Sequence, residues 1–283
     1  MSESKPNPVS SARPAVPLDR LGRARRKFIR SAMLLAGVIG ASLLGVVPVV
    51  RGWVKRLRPP GALDEKDFLA SCIKCGQCVQ VCPVSAIKLG EIDEGYGIGV
   101  PFIDAREQAC DFSCDAVQCI LACPTGSLTY EKPAFFPVRE GAKLSRPPTL
   151  KARANEPEPE INLKERMGLA RLTRPEACLA MQGKGFSGPA RGTAFKGRMR
   201  YMDVDRWKPI PVRDHPYERE LCDLCVTECP IEDAIALEAD ADGRFRPVVR
   251  EQCVGCGVCE MICPAEPAAI EIETRALWKA EEV

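Results

Sequence analysis

Two stretches of this chain fix most of what it can become. Residues 72–83 read CIKCGQCVQVCP and residues 253–264 read CVGCGVCEMICP. Both are C-x2-C-x2-C-x3-C-P, the spacing that builds a thiolate nest for a cubane iron–sulfur cluster. The two tight gaps wrap three thiolates round one face. Small residues such as Gly76 and Gly257 let backbone N–H groups approach the sulfurs, and the closing proline turns the chain away. A chain with such sites folds round them, because metal binding supplies folding free energy. This chain needs that supply: three Trp, four Tyr and nine Phe in 283 residues leave little aromatic area to bury.

Sixteen cysteines are present, and eight disulfides would be the alternative use of them. Their spacing argues against it. Block one is Cys72, Cys75, Cys78 and Cys82; block four is Cys253, Cys256, Cys259 and Cys263. Block two, CDFSCDAVQCILACP, has Cys110, Cys114, Cys119 and Cys123 as C-x3-C-x4-C-x3-C-P, the same site with a widened loop. Block three, CDLCVTECP, supplies only Cys222, Cys225 and Cys229 and lacks the first position. Cys178 is the one cysteine left over, and 43 residues separate it from Cys222. Loop closure rises only slowly with length, so Cys178 is the simplest first ligand of block three. A three-cysteine cluster, or ligation by the single histidine His215, are the alternatives.

In two-cluster bacterial ferredoxins the fourth cysteine of a run ligates the neighbouring cluster. Applied here, this predicts four [4Fe–4S] sets: Cys72/Cys75/Cys78/Cys123, Cys110/Cys114/Cys119/Cys82, Cys178/Cys222/Cys225/Cys263 and Cys253/Cys256/Cys259/Cys229. The segments between blocks favour pairing neighbours; an outer-with-outer, inner-with-inner arrangement also fits the pattern. After Pro83 come VSAIKL, a Gly-rich turn and VPFIDAREQAC; after Pro230 come IEDAIALEADADG and RFRPVVREQC. Each reads as a β-hairpin leading into the next block. The expected fold is therefore α+β: two ferredoxin-like halves of the bacterial two-cluster type, with short hairpins and short helices wrapped round four clusters. The halves are residues 51–130 and 178–273, joined by a linker at 131–177 and followed by a tail at 274–283. Six prolines in residues 131–160 mark the linker. Residues 179–221, with nine Lys/Arg against five Asp/Glu, form a basic insertion. It is a candidate docking surface for a membrane partner, anionic lipid or an acidic cytochrome, or else a solvated loop.

Residues 1–30 carry eight Lys/Arg against two Asp/Glu, so residues 31–283 sum to −4 although the whole chain is at +2. A body this close to neutral argues against nucleic acid as a partner. The basic N-terminus reads as an address over residues 1–50. ARRKFIR (24–30) precedes twenty uncharged residues, 31–50. That pattern resembles a twin-arginine export signal, whose pathway carries proteins already folded round their cofactors. Twenty uncharged residues could also serve as an anchor. Arg51, Lys55, Arg56 and Arg58 beyond them weigh against a simple one. Cleavage stays open, so membrane association is peripheral or by the retained leader.

The twin-arginine leader, RLRPPGA (56–62), the two C-x2-C-x2-C-x3-C-P runs, the CP-closed block two and CDLCVTECP together resemble the ferredoxin-type accessory proteins of periplasmic respiration. One branch serves periplasmic nitrate reductase, the other methylamine utilisation. The resemblance covers most of the chain and implies a periplasmic protein with four [4Fe–4S] clusters. Its partners would be a membrane-bound, quinol-oxidising ferredoxin-type protein and a periplasmic cytochrome or dehydrogenase. Block two is one residue wider than the nitrate branch's C-x2-C-x4-C-x3-C-P, and the Cys178–Cys222 insertion is longer; both incline the reading to methylamine utilisation. The expected function is a one-electron relay, with maturation of a partner enzyme or folding staples as alternatives. One histidine and the absence of G-x-S-x-G, Walker and G-x-G-x-x-G motifs argue against a catalytic site of the chain's own.

Overall fold

The paired arginines and the start of the apolar run lie on helix α1 (Leu18–Arg51), whose large side chains from Phe28 to Ile39 are exposed. The structure, a computed structural model, describes residues 18–51, 55–91, 97–114, 117–129, 141–143, 160–162, 167–201, 204–240, 242–276 and 278–279. Among these residues no helix is long and apolar enough to cross a membrane. Contacts divide the chain into two units, Met1–Trp53 and Val54–Val283.

The second unit opens with an anchoring knot. Arg58 is buried; its Nη1 donates to the Pro101 carbonyl at 2.9 Å, and its Nε and Nη2 donate to Glu65. Glu65 begins α2 (Glu65–Ser71), where it and Asp67 complement the positive end of the helix dipole. Burial would raise the Glu65 carboxyl, but Arg58 and Arg275 outweigh it and hold it below the usual range. Phe68 of α2 is fully buried. Next come α3 (Gln77–Gln80), a hairpin of β1 (Ile87–Leu89) and β2 (Pro101–Ile103), and α4 (Gln118–Leu121). In the hairpin Ile87 faces Ile103 and Leu89 faces Pro101.

Within the expected linker, β3 (Gly141–Lys143) pairs with β4 (Glu160–Asn162); residues 130–140, 144–159 and 163–166 lie outside the described ones. The last part of that stretch folds into β5 (Gly168–Leu172) and a short 3-10 turn at Pro175–Ala177. It does so because Leu169 and Ala170 are buried. The insertion makes two small antiparallel sheets. In the first, β6 (Phe186–Gly188) pairs with residues 217–219 at the insertion's far end; in the second, β7 (Arg198–Tyr201) pairs with β8 (Asp205–Pro211). Then come β9 (Tyr217–Arg219), α5 (Leu224–Thr227), the hairpin of β10 (Ile235–Ala239) and β11 (Phe245–Val249), α6 (Val258–Ile262) and β12 (Ile270–Thr274). β12 returns to β5, with Ile270 opposite Leu172. The first half has a matching contact in the Ala62–Leu128 bridge.

Residues from both halves share one buried core that includes Ile103, Phe112, Leu224, Met261 and Ile270. Block two and block four meet along a seam of small residues. A Cβ on Gly257 would come within 2.7 Å of the Ala105 Cβ. Across the seam Cys110 N–H donates to the Cys256 carbonyl at 3.2 Å and Ala109 N–H to Met261 Sδ at 3.2 Å. Arg106 reaches over it to the end of α6. Its Nη1 donates to the carbonyls of Glu260 (2.6 Å) and Cys263 (2.9 Å), and its Nη2 to the carbonyl of Ala265 (2.7 Å) and to Glu266 (2.8 Å). These are carbonyls that a helix C-terminus leaves without intrahelical donors.

Lys74 and Gly255 are equivalent, each just before the second cysteine of its run. Both are left-handed, at φ 59° and φ 71°. A lysine tolerates that backbone in block one, so conformation alone does not demand glycine in block four. Packing does: a Cβ on Gly255 would lie 2.2–2.5 Å from backbone atoms of Gly168 in β5. Gly255→Ala is therefore expected to cost clearly more than the ~1 kcal/mol of left-handed strain. Thermal unfolding beside Lys74→Gly, which should stabilise slightly, checks this; an alanine cost of ~1 kcal/mol or less would mean that β5 is free to shift.

Candidate metal centres

Each cysteine block starts as an irregular loop and ends in one helical turn. The loops carry left-handed residues, Lys74 and Gly76 in block one, Phe112 and Val117 in block two, Gly255 and Gly257 in block four. The turns α3, α4 and α6 bury Cys78, Cys119 and Cys259. The helix pairs α3/α4 and α5/α6 pack together, and that packing brings the fourth cysteine of one block to its neighbour. No two of the sixteen cysteines are joined in a disulfide.

Three cavities are walled by four thiols each. Cys72, Cys75, Cys78 and Cys123 line one, under Phe68 and Leu128. Cys178, Cys222, Cys225 and Cys263 line another, with Leu172, Leu224 and Ile270. Cys229, Cys253, Cys256 and Cys259 line the third, with Ile231, Ile235 and Ile272. The remaining four gather as well, since Cys110 lies within electrostatic reach of Cys114, Cys82 and Cys119.

Several of the buried thiols are hard to ionise unaided. Burial first, then Cys72 next door, pushes Cys78 up to about 11. Burial pushes Cys222 to about 11, with Cys178 and Cys263 adding to it against the Leu224 N–H. Burial and neighbouring thiols drive Cys110, Cys119, Cys225, Cys256 and Cys259 well up. Cys123 goes the other way: burial would raise it, but the Leu128 N–H at 3.4 Å and the Thr125 hydroxyl bring it down. A metal centre here must displace protons as it loads.

A cubane cluster fits these residues. Among the described ones, no three of His, Cys, Asp or Glu stand close enough to share a single metal ion. Four thiols spread round an apolar cavity suit a larger inorganic core. Three of the four CP-closing cysteines are also furnished with donors suited to thiolates: Ala86 N–H to Cys82 Sγ (3.2 Å), Leu128 N–H to Cys123 Sγ (3.4 Å) and Ala269 N–H to Cys263 Sγ (3.4 Å). Such N–H···S bonds help set a cluster's potential.

Cys178 reaches its set although 43 residues intervene before Cys222. The insertion leaves and returns through the paired β6 and β9, and Cys222 N–H donates to the Lys184 carbonyl at 3.0 Å. Gly185 permits this neck, since a Cβ there would sit 2.2 Å from the Arg219 carbonyl oxygen. His215 lines none of the three cavities. It stacks on Tyr201 at 3.9 Å and meets Tyr217 edge-on.

The sets adjoin in an order that differs from chain order. Cys119 lies near Cys78, Cys110 is bonded to Cys256, and Cys259 lies near Cys225. The run is thus the Cys72 set, the Cys110 set, the Cys253 set and the Cys178 set. Cys75, in the first, is the exposed cysteine of the sixteen. The insertion sits on block two: Gln108 exchanges two 2.8 Å bonds with the Arg198 backbone, and Arg191 donates to the Arg106 carbonyl and to Glu266. Sequence reasoning missed Arg106, Gln108 and Arg191. The repeated REQ before Cys110 and Cys253 was the available signal, and its second copy misleads, because Arg250 makes exposed ion pairs with Glu238 and Asp233.

A family described as a 4Fe-4S dicluster domain matches residues 71–127, and one described as a 4Fe-4S binding domain matches 250–266. The chain is 31% identical over 268 residues to "Ferredoxin-type protein NapG" of Escherichia coli, covering 91% of this chain and 88% of that one. It is 31% identical over 263 residues to "Methylamine utilization ferredoxin-type protein MauM" of Methylorubrum extorquens, covering 90% of each. With the MauM protein of Paracoccus denitrificans it shares 33% over 228 residues, 79% of this chain and 73% of that one. No solved structure matches the chain.

Proposed function

Given that the chain belongs to the ferredoxin-type protein family of NapG and MauM, we propose that it is an exported polyferredoxin relaying single electrons through four [4Fe–4S] clusters. At the coarser level it is an iron–sulfur electron-transfer protein with 4Fe-4S binding domains. The observation that carries the finer reading is the gathering of sixteen thiols into four sets that adjoin in a line. Each cluster, when bound, supplies one-electron chemistry without proton transfer. The chain's own residues hold the thiolates, donate N–H bonds to several of them and bury seven of the sixteen. Cys75 and its surroundings form the port nearest solvent, and the buried Cys253 set forms the interior.

The relay serves an amine-oxidising or a quinol-linked periplasmic system; the relatives named for methylamine utilization support the first. Its partners are a membrane-bound, quinol-oxidising ferredoxin-type protein and a periplasmic cytochrome or dehydrogenase. Arg25, Arg26 and the uncharged run after them support export by the twin-arginine route, with attachment to the inner membrane peripheral or through the leader. The test is anaerobic, low-temperature EPR of inner-membrane vesicles carrying the protein, before and after a quinol. [4Fe–4S] signals should appear with quinol. Signals raised only by dithionite would remove the quinol-linked relay and favour a maturation role.

A further inference from the structure

The widened loop of block two places one carboxylate between two thiol sets. Asp111 directly follows Cys110, whose N–H is bonded to the Cys256 carbonyl at 3.2 Å. Asp111 is 4% exposed. Its Oδ1 accepts the Ser113 N–H and its Oδ2 the Arg200 N–H of β7, each at 3.1 Å. Arg200 also donates through Nη1 to the Ser113 carbonyl at 3.1 Å, so the insertion pins the loop at two points. Backbone donors on both oxygens are how a buried carboxylate is carried in the ionised form. The carboxylate is thus buried next to Cys110 of one set, at the point where that residue's backbone is bonded to Cys256 of the other.

We propose that Asp111 is the shared potential-setting residue of the relay, a fixed negative charge at the seam that makes the two central clusters harder to reduce than the two outer ones. An added electron next to a fixed negative charge is disfavoured by Coulomb repulsion, and a buried site is screened little by salt. Electrons then rest on the Cys72 and Cys178 sets and cross the middle without being held there. β7 of the insertion is the brace that keeps the carboxylate in place.

This rests on the reading that the thiol sets hold clusters, and the experiment separates the two. Iron and acid-labile sulfide are counted first on the wild-type full chain; absence of iron there would sink the cluster reading itself. EPR-monitored redox titrations then compare wild type, Asp111→Asn and Asp111→Glu. Asn should keep the iron and raise two of the four midpoints while leaving the other two in place, and the rise should persist at high salt. Glu, which keeps the charge, should leave all four near wild type. The proposal is overturned by an Asn variant with full iron and unmoved midpoints, by a uniform shift of all four, or by loss of iron in both variants, which would make Asp111 a purely structural residue.

Discussion

Cys178→Ala should lose roughly a quarter of the protein's iron, while His215→Ala keeps all of it. Cys178 stands in the cavity with Cys222, Cys225 and Cys263, and His215 stacks on Tyr201 inside the insertion. Removing one of four thiolates leaves a cluster with an open corner, which is labile to loss or to shedding one iron. The readout is iron per chain together with the EPR spectrum of the reduced and oxidised protein. Full iron and an unchanged spectrum in Cys178→Ala would show that block three draws its fourth ligand from elsewhere. The expected loss should be confined to one signal, because the Cys253 set borrows Cys229, not Cys178, from block three.

The second large effect is expected at Arg106. Its guanidinium is mostly buried and gives four hydrogen bonds, three of them to carbonyls at the end of α6. Arg106→Ala strands those acceptors, and each buried group left without a donor costs about 1–3 kcal/mol. A total near 3 kcal/mol or more is expected in denaturant unfolding of the loaded protein. Arg106→Lys should recover little, since an ammonium cannot span the same fork of acceptors. Arg250→Ala is the natural comparison, because it occupies the same place in the repeat and makes only exposed ion pairs. It should stay within about 1 kcal/mol of wild type. Equal effects at the two arginines would show that the α6 carbonyls find water or other donors.

The hairpins β1/β2 and β10/β11 are legible because apolar runs flank turn residues, which is a local pattern. The cysteine blocks are legible because ligand spacing is written directly in the chain. β5 is not: Gly168–Leu172 follows a proline-rich stretch, and its strand character depends on β12, about a hundred residues further on. The seam escapes for a similar reason. Ala105, Ala109 and Gly257 are merely small residues until the backbones of blocks two and four are brought together. The charge count of 179–221 also gave an incomplete picture, since Arg191 and Arg200 are turned inward onto block two. The function of a basic residue depends on which acceptor the fold delivers to it, and composition carries no record of that.

The mismatch between chain order and spatial order bears on synthesis. Block two's neighbour across the seam is block four, which leaves the ribosome after the other three blocks. Until Cys256, Met261 and the α6 carbonyls have emerged, Ala105 and Ala109 lack the surface they pack on, and Arg106 lacks the carbonyls it binds. The first half is therefore translated early and finished late. A nascent chain stalled before block four would display a sticky, half-built face, which a chaperone would recognise as unfinished.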